Sequence, residues 1–69
     1  MTVHSARVRI QIEYIEMPDL KLSEAQIRRL CDLSEDICKE ALGALLATGF
    51  LVKSRTGTFL RGGLAPQAL

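Results

Sequence analysis

Ser23-Glu24-Ala25-Gln26-Ile27-Arg28-Arg29-Leu30-Cys31-Asp32-Leu33-Ser34 is the stretch that decides the fold. Its first four residues form a capping box, in which the Ser hydroxyl and the Gln amide each satisfy a backbone N–H that a helix start leaves without a partner. Leu22 and Ile27 flank the box at hydrophobic-staple spacing. A helix from Glu24 to Cys31 follows, about two turns long, with Ile27, Leu30 and Cys31 on its apolar side. Asp32 tolerates the left-handed turn conformation better than most non-glycine residues. Ser34 then caps a second helix whose first turn holds Glu35 and Asp36, both favourable to the helix dipole. The unit is helix, tight turn, helix.

Working outward towards the C-terminus, Cys38, Leu42, Leu45 and Leu46 fall within one arc of the second helix, and Asp36, Lys39, Glu40, Gly43 and Ala47 fall opposite. Gly49 sits where a left-handed glycine would end that helix over residues 34–48. Phe50-Leu51-Val52-Lys53-Ser54, then Arg55-Thr56-Gly57, then Thr58-Phe59-Leu60-Arg61 read as a β-hairpin with Gly at its turn. Leu20-Lys21-Leu22 reads as a short strand before the capping box.

Towards the N-terminus two readings stay open. Arg7-Val8-Arg9-Ile10-Gln11-Ile12-Glu13-Tyr14 alternates polar and apolar with period two, the signature of a half-buried strand. A helix over residues 5–16 also fits, with Ile10, Tyr14 and Met17 or Val8, Ile12 and Ile15 as stripes and Pro18 as the stop. Propensity leans to strand, because β-branched residues lose side-chain freedom in a helix. Packing leans to helix, because two short helices and a hairpin leave one side of the Leu42/Leu45 row uncovered, and the helix is favoured on that ground.

Composition bounds the rest. The chain has 69 residues, 48% apolar, with nine Lys and Arg against eight Asp and Glu. That allows one small core and excludes both a disordered chain and a basic arm. A domain this short buries only about 60% of its unfolded surface, which makes self-association a reasonable expectation. Residues 1–22 are neutral, residues 23–48 carry three basic and five acidic groups, and the rest carry Lys53, Arg55 and Arg61 with no acid. The expected layout is a single domain over 1–61 and a flexible tail over 62–69. The N-terminus lacks the apolar stretch of a signal peptide and no run is long enough to cross a bilayer, which points to a cytoplasmic protein that does not engage membranes. Cys31 and Cys38, with no ligand at metal spacing nearby, read as free buried thiols, and no cofactor or metal is expected.

From Pro18 to Arg61 the order of elements resembles the winged helix-turn-helix superfamily of small bacterial transcriptional regulators. Leu30-Cys31-Asp32-Leu33-Ser34, followed by Cys38, Leu42, Leu45 and Gly49-Phe50-Leu51, looks like its pattern of apolar turn residue, capping Ser, recognition helix and a Gly leading into the wing. The fold class expected is therefore α+β, mostly α: a three-helix winged helix-turn-helix with a C-terminal β-hairpin wing. The resemblance implies that the helix at 34–48 enters the major groove of duplex DNA, presenting Asp36, Ile37, Lys39, Glu40 and Gly43. It also implies that Lys53, Arg55, Thr56 and Arg61 contact DNA from the wing. Arg28 and Arg29 are added as phosphate contacts. Carboxylates at the start of the reading helix depart from that pattern, because phosphate binding requires Lys or Arg.

A second class of function follows from the same residues. Gly43, Ala44 and Ala47, with Ile37 beside them, are small or apolar on the outward face of the long helix and suit a homodimer or another protein partner. His4 reads as surface decoration, and Tyr14, Phe50 and Phe59 read as core. No arrangement of nucleophile, base and acid suggests an enzyme or a small-molecule substrate.

Overall fold

The computed structural model describes residues 2–62. Its elements run α1 (Val3–Glu16), β1 (Leu22–Ser23), α2 (Glu24–Cys31), α3 (Glu35–Thr48), β2 (Leu51–Lys53) and β3 (Thr58–Arg61). Three helices thus pack with a three-stranded antiparallel sheet of order β1-β3-β2. Leu22 pairs with Phe59 and Ser23 with Thr58, while Leu51, Val52 and Lys53 face Arg61, Leu60 and Phe59. The coarse class expected from the sequence, α+β and mostly helical, is the one observed.

The N-terminal segment is helical. Thr2 caps it, its hydroxyl accepting the Ser5 N–H at 3.1 Å. Ala6, Ile10 and Tyr14, one turn apart, are buried against the rest of the molecule. Val8, Ile12 and Ile15 lie on the opposite side and are exposed, and so is Met17. Packing has therefore overridden β propensity, a contest usually won by the larger burial term. Met17 leaves the helical region one residue before Pro18, as the ring of a following proline requires.

Local chemistry fixes the middle of the chain. Ser23 Oγ accepts the Gln26 N–H at 3.2 Å and Gln26 Oε1 accepts the Ser23 N–H at 2.8 Å, a complete capping box. Asp32 ends α2 in the left-handed region with φ 55°, and the Leu33 N–H reaches back to the Arg28 carbonyl at 2.9 Å. Leu33 is thereby turned into the core. Ser34 caps α3 by accepting the Ile37 N–H at 3.3 Å, and Gly49 ends it with φ 83°. The hairpin turn closes through the Gly57 N–H to the Ser54 carbonyl at 3.1 Å, with Gly57 at φ 89°.

Four details differ from the sequence reading. Leu30 is exposed rather than part of the apolar side of α2, because it lies about 100° round the helix from Cys31. The first strand covers Leu22–Ser23 and not residues 20–22, since only those two face Phe59 and Thr58. Ala41, at one edge of the inward arc of α3, joins Cys38, Leu42 and Leu45 in the core. Gly62 belongs with the ordered sheet and not with the tail: its N–H donates to the Phe50 carbonyl at 2.9 Å, and a Cβ there would meet the Gly49 oxygen at 2.5 Å. The remainder of the expected tail, residues 63–69, lies outside the described residues.

The core gathers side chains from every element but the shortest strand. Phe59 and Leu51 from the sheet close over the helical residues, and Leu22 packs half-buried at the edge. Tyr14, the largest buried side chain, donates its hydroxyl to the Phe59 carbonyl at 2.7 Å, tying α1 to β3.

Candidate functional site

Two neighbouring elements, α3 and the hairpin, hold most of the residues singled out from the sequence, and α2 holds Arg28 and Arg29. On α3, Asp36, Lys39, Glu40, Gly43 and Ala47 are exposed. Ile37 and Ala44 are only half-buried, and Ile37 packs against the core, so neither is the open contact residue the sequence suggested. They sit at the fringe of the inward arc, next to Ala41. The small outward residues that remain are Gly43 and Ala47.

The charge on this face is predominantly acidic. Lys39 Nζ lies 3.1 Å from Glu35 Oε2, one turn away. Lys39 acts first through that hydrogen bond and then through its charge to lower the Glu35 pKa, with Arg28 adding a smaller effect. Glu35 in turn raises that of Lys39. With Lys39 engaged, Asp36 and Glu40 dominate the exposed first two turns.

The hairpin has the opposite character. Lys53 and Arg55 are exposed and Arg61 is half-buried. Lys53 Nζ stands 5.7 Å from the centroid of the Phe59 ring, and Arg61 Cζ stands 4.4 Å from that of Phe50, both within cation–π range. Phe50 is accordingly only half-buried, in contrast to Phe59 and Tyr14. Thr56 is held in the turn by its hydroxyl, 2.9 Å from Ser54 Oγ, which also lies 2.8 Å from Thr58 Oγ1. These local bonds set the shape of the loop that presents Arg55.

Arg28 and Arg29 leave the last turn of α2 towards different surroundings. Arg29 is exposed, whereas Arg28 is half-buried and its Nε makes no hydrogen bond among the described residues. The Arg28 charge reaches both Glu35 and Cys38, which places it at the junction of the two helices rather than on the hairpin side. Of the two, Arg28 is thus tied electrostatically to α3 and Arg29 faces solvent.

Both cysteines are free and buried. Burial pushes the Cys38 thiol up to about 11, reinforced by the nearby Glu24 carboxylate and opposed by Arg28. Burial also raises Cys31, with Arg9 opposing and Glu13 reinforcing. Buried thiols of this kind are inert. Among the described residues no three His, Cys, Asp or Glu side chains are grouped so as to hold a metal ion, and no helix is long and apolar enough to cross a membrane. His4 is exposed on α1.

One surface was not anticipated from the sequence. The outer side of the sheet, with Val52 opposite Leu60, joins Pro18, Asp19, Lys21, Arg61 and Gly62 around an open groove of about 470 Å³. The unbroken apolar run Phe50-Leu51-Val52 carried the signal for it, because consecutive strand residues face opposite sides and one apolar residue must face out. Compared with family models, with curated proteins and with solved structures, the chain matches none.

Proposed function

We propose that this chain is a winged helix-turn-helix protein that binds duplex DNA, holding it mainly by the hairpin and only weakly by α3. The observation that carries the reading is the hairpin itself: residues 49–62 carry Lys53, Arg55 and Arg61 and no carboxylate, next to a helix-turn-helix unit with a tight left-handed corner at Asp32. The order α1-β1-α2-α3-β2-β3, with β1 paired to β3, supports it, since a winged helix is built in that order. Phosphate neutralisation by Lys and Arg supplies most sequence-independent affinity. Arg29, exposed at the end of α2, offers a further phosphate contact outside the hairpin, and half-buried Arg28 a weaker one. Asp36 and Glu40 repel the backbone, and their one favourable use is acceptance from cytosine N4. Affinity should therefore be modest and weakly selective, with transcriptional regulation as the role it would serve.

Fluorescence anisotropy on a labelled random duplex tests this. Binding should weaken as salt rises with a log–log slope of about −3, corresponding to three or four phosphates neutralised. Lys53→Glu with Arg55→Glu should bring that slope to about −1. Absent or salt-independent binding near 50 mM salt would refute the reading.

A second reading, a protein-interaction module on the same fold, is favoured by the acidic outward face of α3 and by Gly43, where an added Cβ meets nothing within 4 Å. Under it, Gly43→Leu disturbs capture of a purified partner while helicity is kept, and DNA binding is absent.

A further inference from the structure

We infer that α1 is a self-association surface, on which a second copy of this chain packs its own α1 in the antiparallel sense about a two-fold axis. The inference is independent of whether DNA is bound. Three β-branched residues, Val8, Ile12 and Ile15, are 40%, 44% and 58% exposed. Their spacing of four and three residues puts them in an arc of about 60° on the side of α1 away from the core, the seam of a two-helix coil. Exposed helix positions are normally filled by good helix formers, whereas Val and Ile are poor ones. Here they give up that propensity with only about half of each side chain covered in return. Covering the stripe supplies the missing burial.

The charges beside the stripe select the occupant and its direction. Arg9 and Glu16 flank one edge, His4 and Gln11 the other. A parallel pair would set unlike edges together, Arg9 beside His4 and Glu16 beside Gln11, and no ion pair forms. An antiparallel pair sets like edges together, so that Arg9 of each copy meets Glu16 of the other, twice by symmetry. In that register the apolar residues of the two helices interleave along the axis instead of colliding. Arg9 uses its Nε on Glu13 of its own helix, at 3.2 Å, and its two terminal nitrogens stay available to the second copy.

The area decides how tight the pair is. Fourteen helical residues span about 21 Å, and a seam of that length buries on the order of 800–1,000 Å² in total, below the range of standard stable interfaces. The association is therefore weak, reversible and dependent on concentration.

Sedimentation of the full chain from about 5 to 500 µM should show a monomer passing to a dimer. Ile12→Glu, outside the core, should stay monomeric throughout with unchanged circular dichroism. Glu16→Arg should weaken association about fivefold or more, and Arg9→Glu with Glu16→Arg should restore it. A monomer at every concentration, or a dimer untouched by Ile12→Glu, would overturn the surface. Failure of the double swap to recover what the single swap lost would overturn the antiparallel pairing.

Discussion

Replacing Tyr14 by Phe removes one oxygen from the most buried large side chain of the protein, and the structure says what that oxygen does. The hydroxyl donates to the Phe59 carbonyl at 2.7 Å, joining residues 45 apart in sequence. Without it the carbonyl loses one partner inside the core, at a cost of about 1–2 kcal/mol. A domain of this length has about 3–10 kcal/mol in all, and small cores sit at the low end. The melting temperature should accordingly fall by about 5–15 °C. The same bond has a pH signature. Burial raises the Tyr14 pKa from its ordinary 10.0 to about 12, opposed in part by the nearby Leu22 backbone and reinforced by Cys31. The folded state thus favours the protonated phenol. Stability from this group is complete below pH 10 and is lost as pH climbs towards 12. The chain has one tyrosine, so the ultraviolet absorbance of tyrosinate reports on Tyr14 alone. Native protein should titrate near 12 and protein in urea near 10, and thermal melts at pH 7 and pH 11 should converge in Tyr14→Phe more than in wild type. A variant that melts with wild type, or a native titration at the ordinary value, would refute the reasoning.

Gly43→Ala should stabilise the isolated chain by about 0.8–1.0 kcal/mol, since an exposed helical glycine with open space at its Cβ carries only an entropic cost; chemical denaturation measures it, and a loss of stability would contradict the open surroundings. Ser23→Ala should cost about 1 kcal/mol by removing half of the capping box, read as a lower urea midpoint with unchanged slope. Cys31 and Cys38 should resist a thiol reagent at pH 8 in native protein and react together on unfolding, because burial disfavours both thiolates; fast native labelling of either would show that the core opens readily.

How much the sequence disclosed depended on whether the determining contacts were local. Ser23 with Gln26, Asp32, Ser34, Gly49 and Gly57 all act within a few residues of backbone, and the helix-turn-helix and hairpin were legible from them. The N-terminal segment was ambiguous for a definite reason. Apolar residues at 8, 10, 12 and 14 alternate like a strand because α1 is apolar on two opposite sides, one buried and one exposed. A core-facing helix with a single apolar stripe would not have produced that alternation. The boundary of β1 was missed because it depends on Phe59 and Thr58, more than 30 residues away. At the candidate site the signs of the charges were readable, and so was the contrast between α3 and the hairpin. Their engagement was not: Lys39 has Glu35 four residues before it and Asp36 three before it as competing partners, and Arg61 over Phe50 or Thr56 against Ser54 arise only once the turn and strand register exist.

Ser23 is at once the last residue of β1 and the cap of α2. With no linker between strand and helix there is no joint at which the hairpin could swing independently. A tilt of α2 is transmitted through the Ser23–Thr58 and Leu22–Phe59 pairs to β3, and from β3 to the tip that carries Arg55. Helices and hairpin therefore meet any large surface as one rigid tool, and a surface whose curvature differs from theirs must itself bend to be gripped.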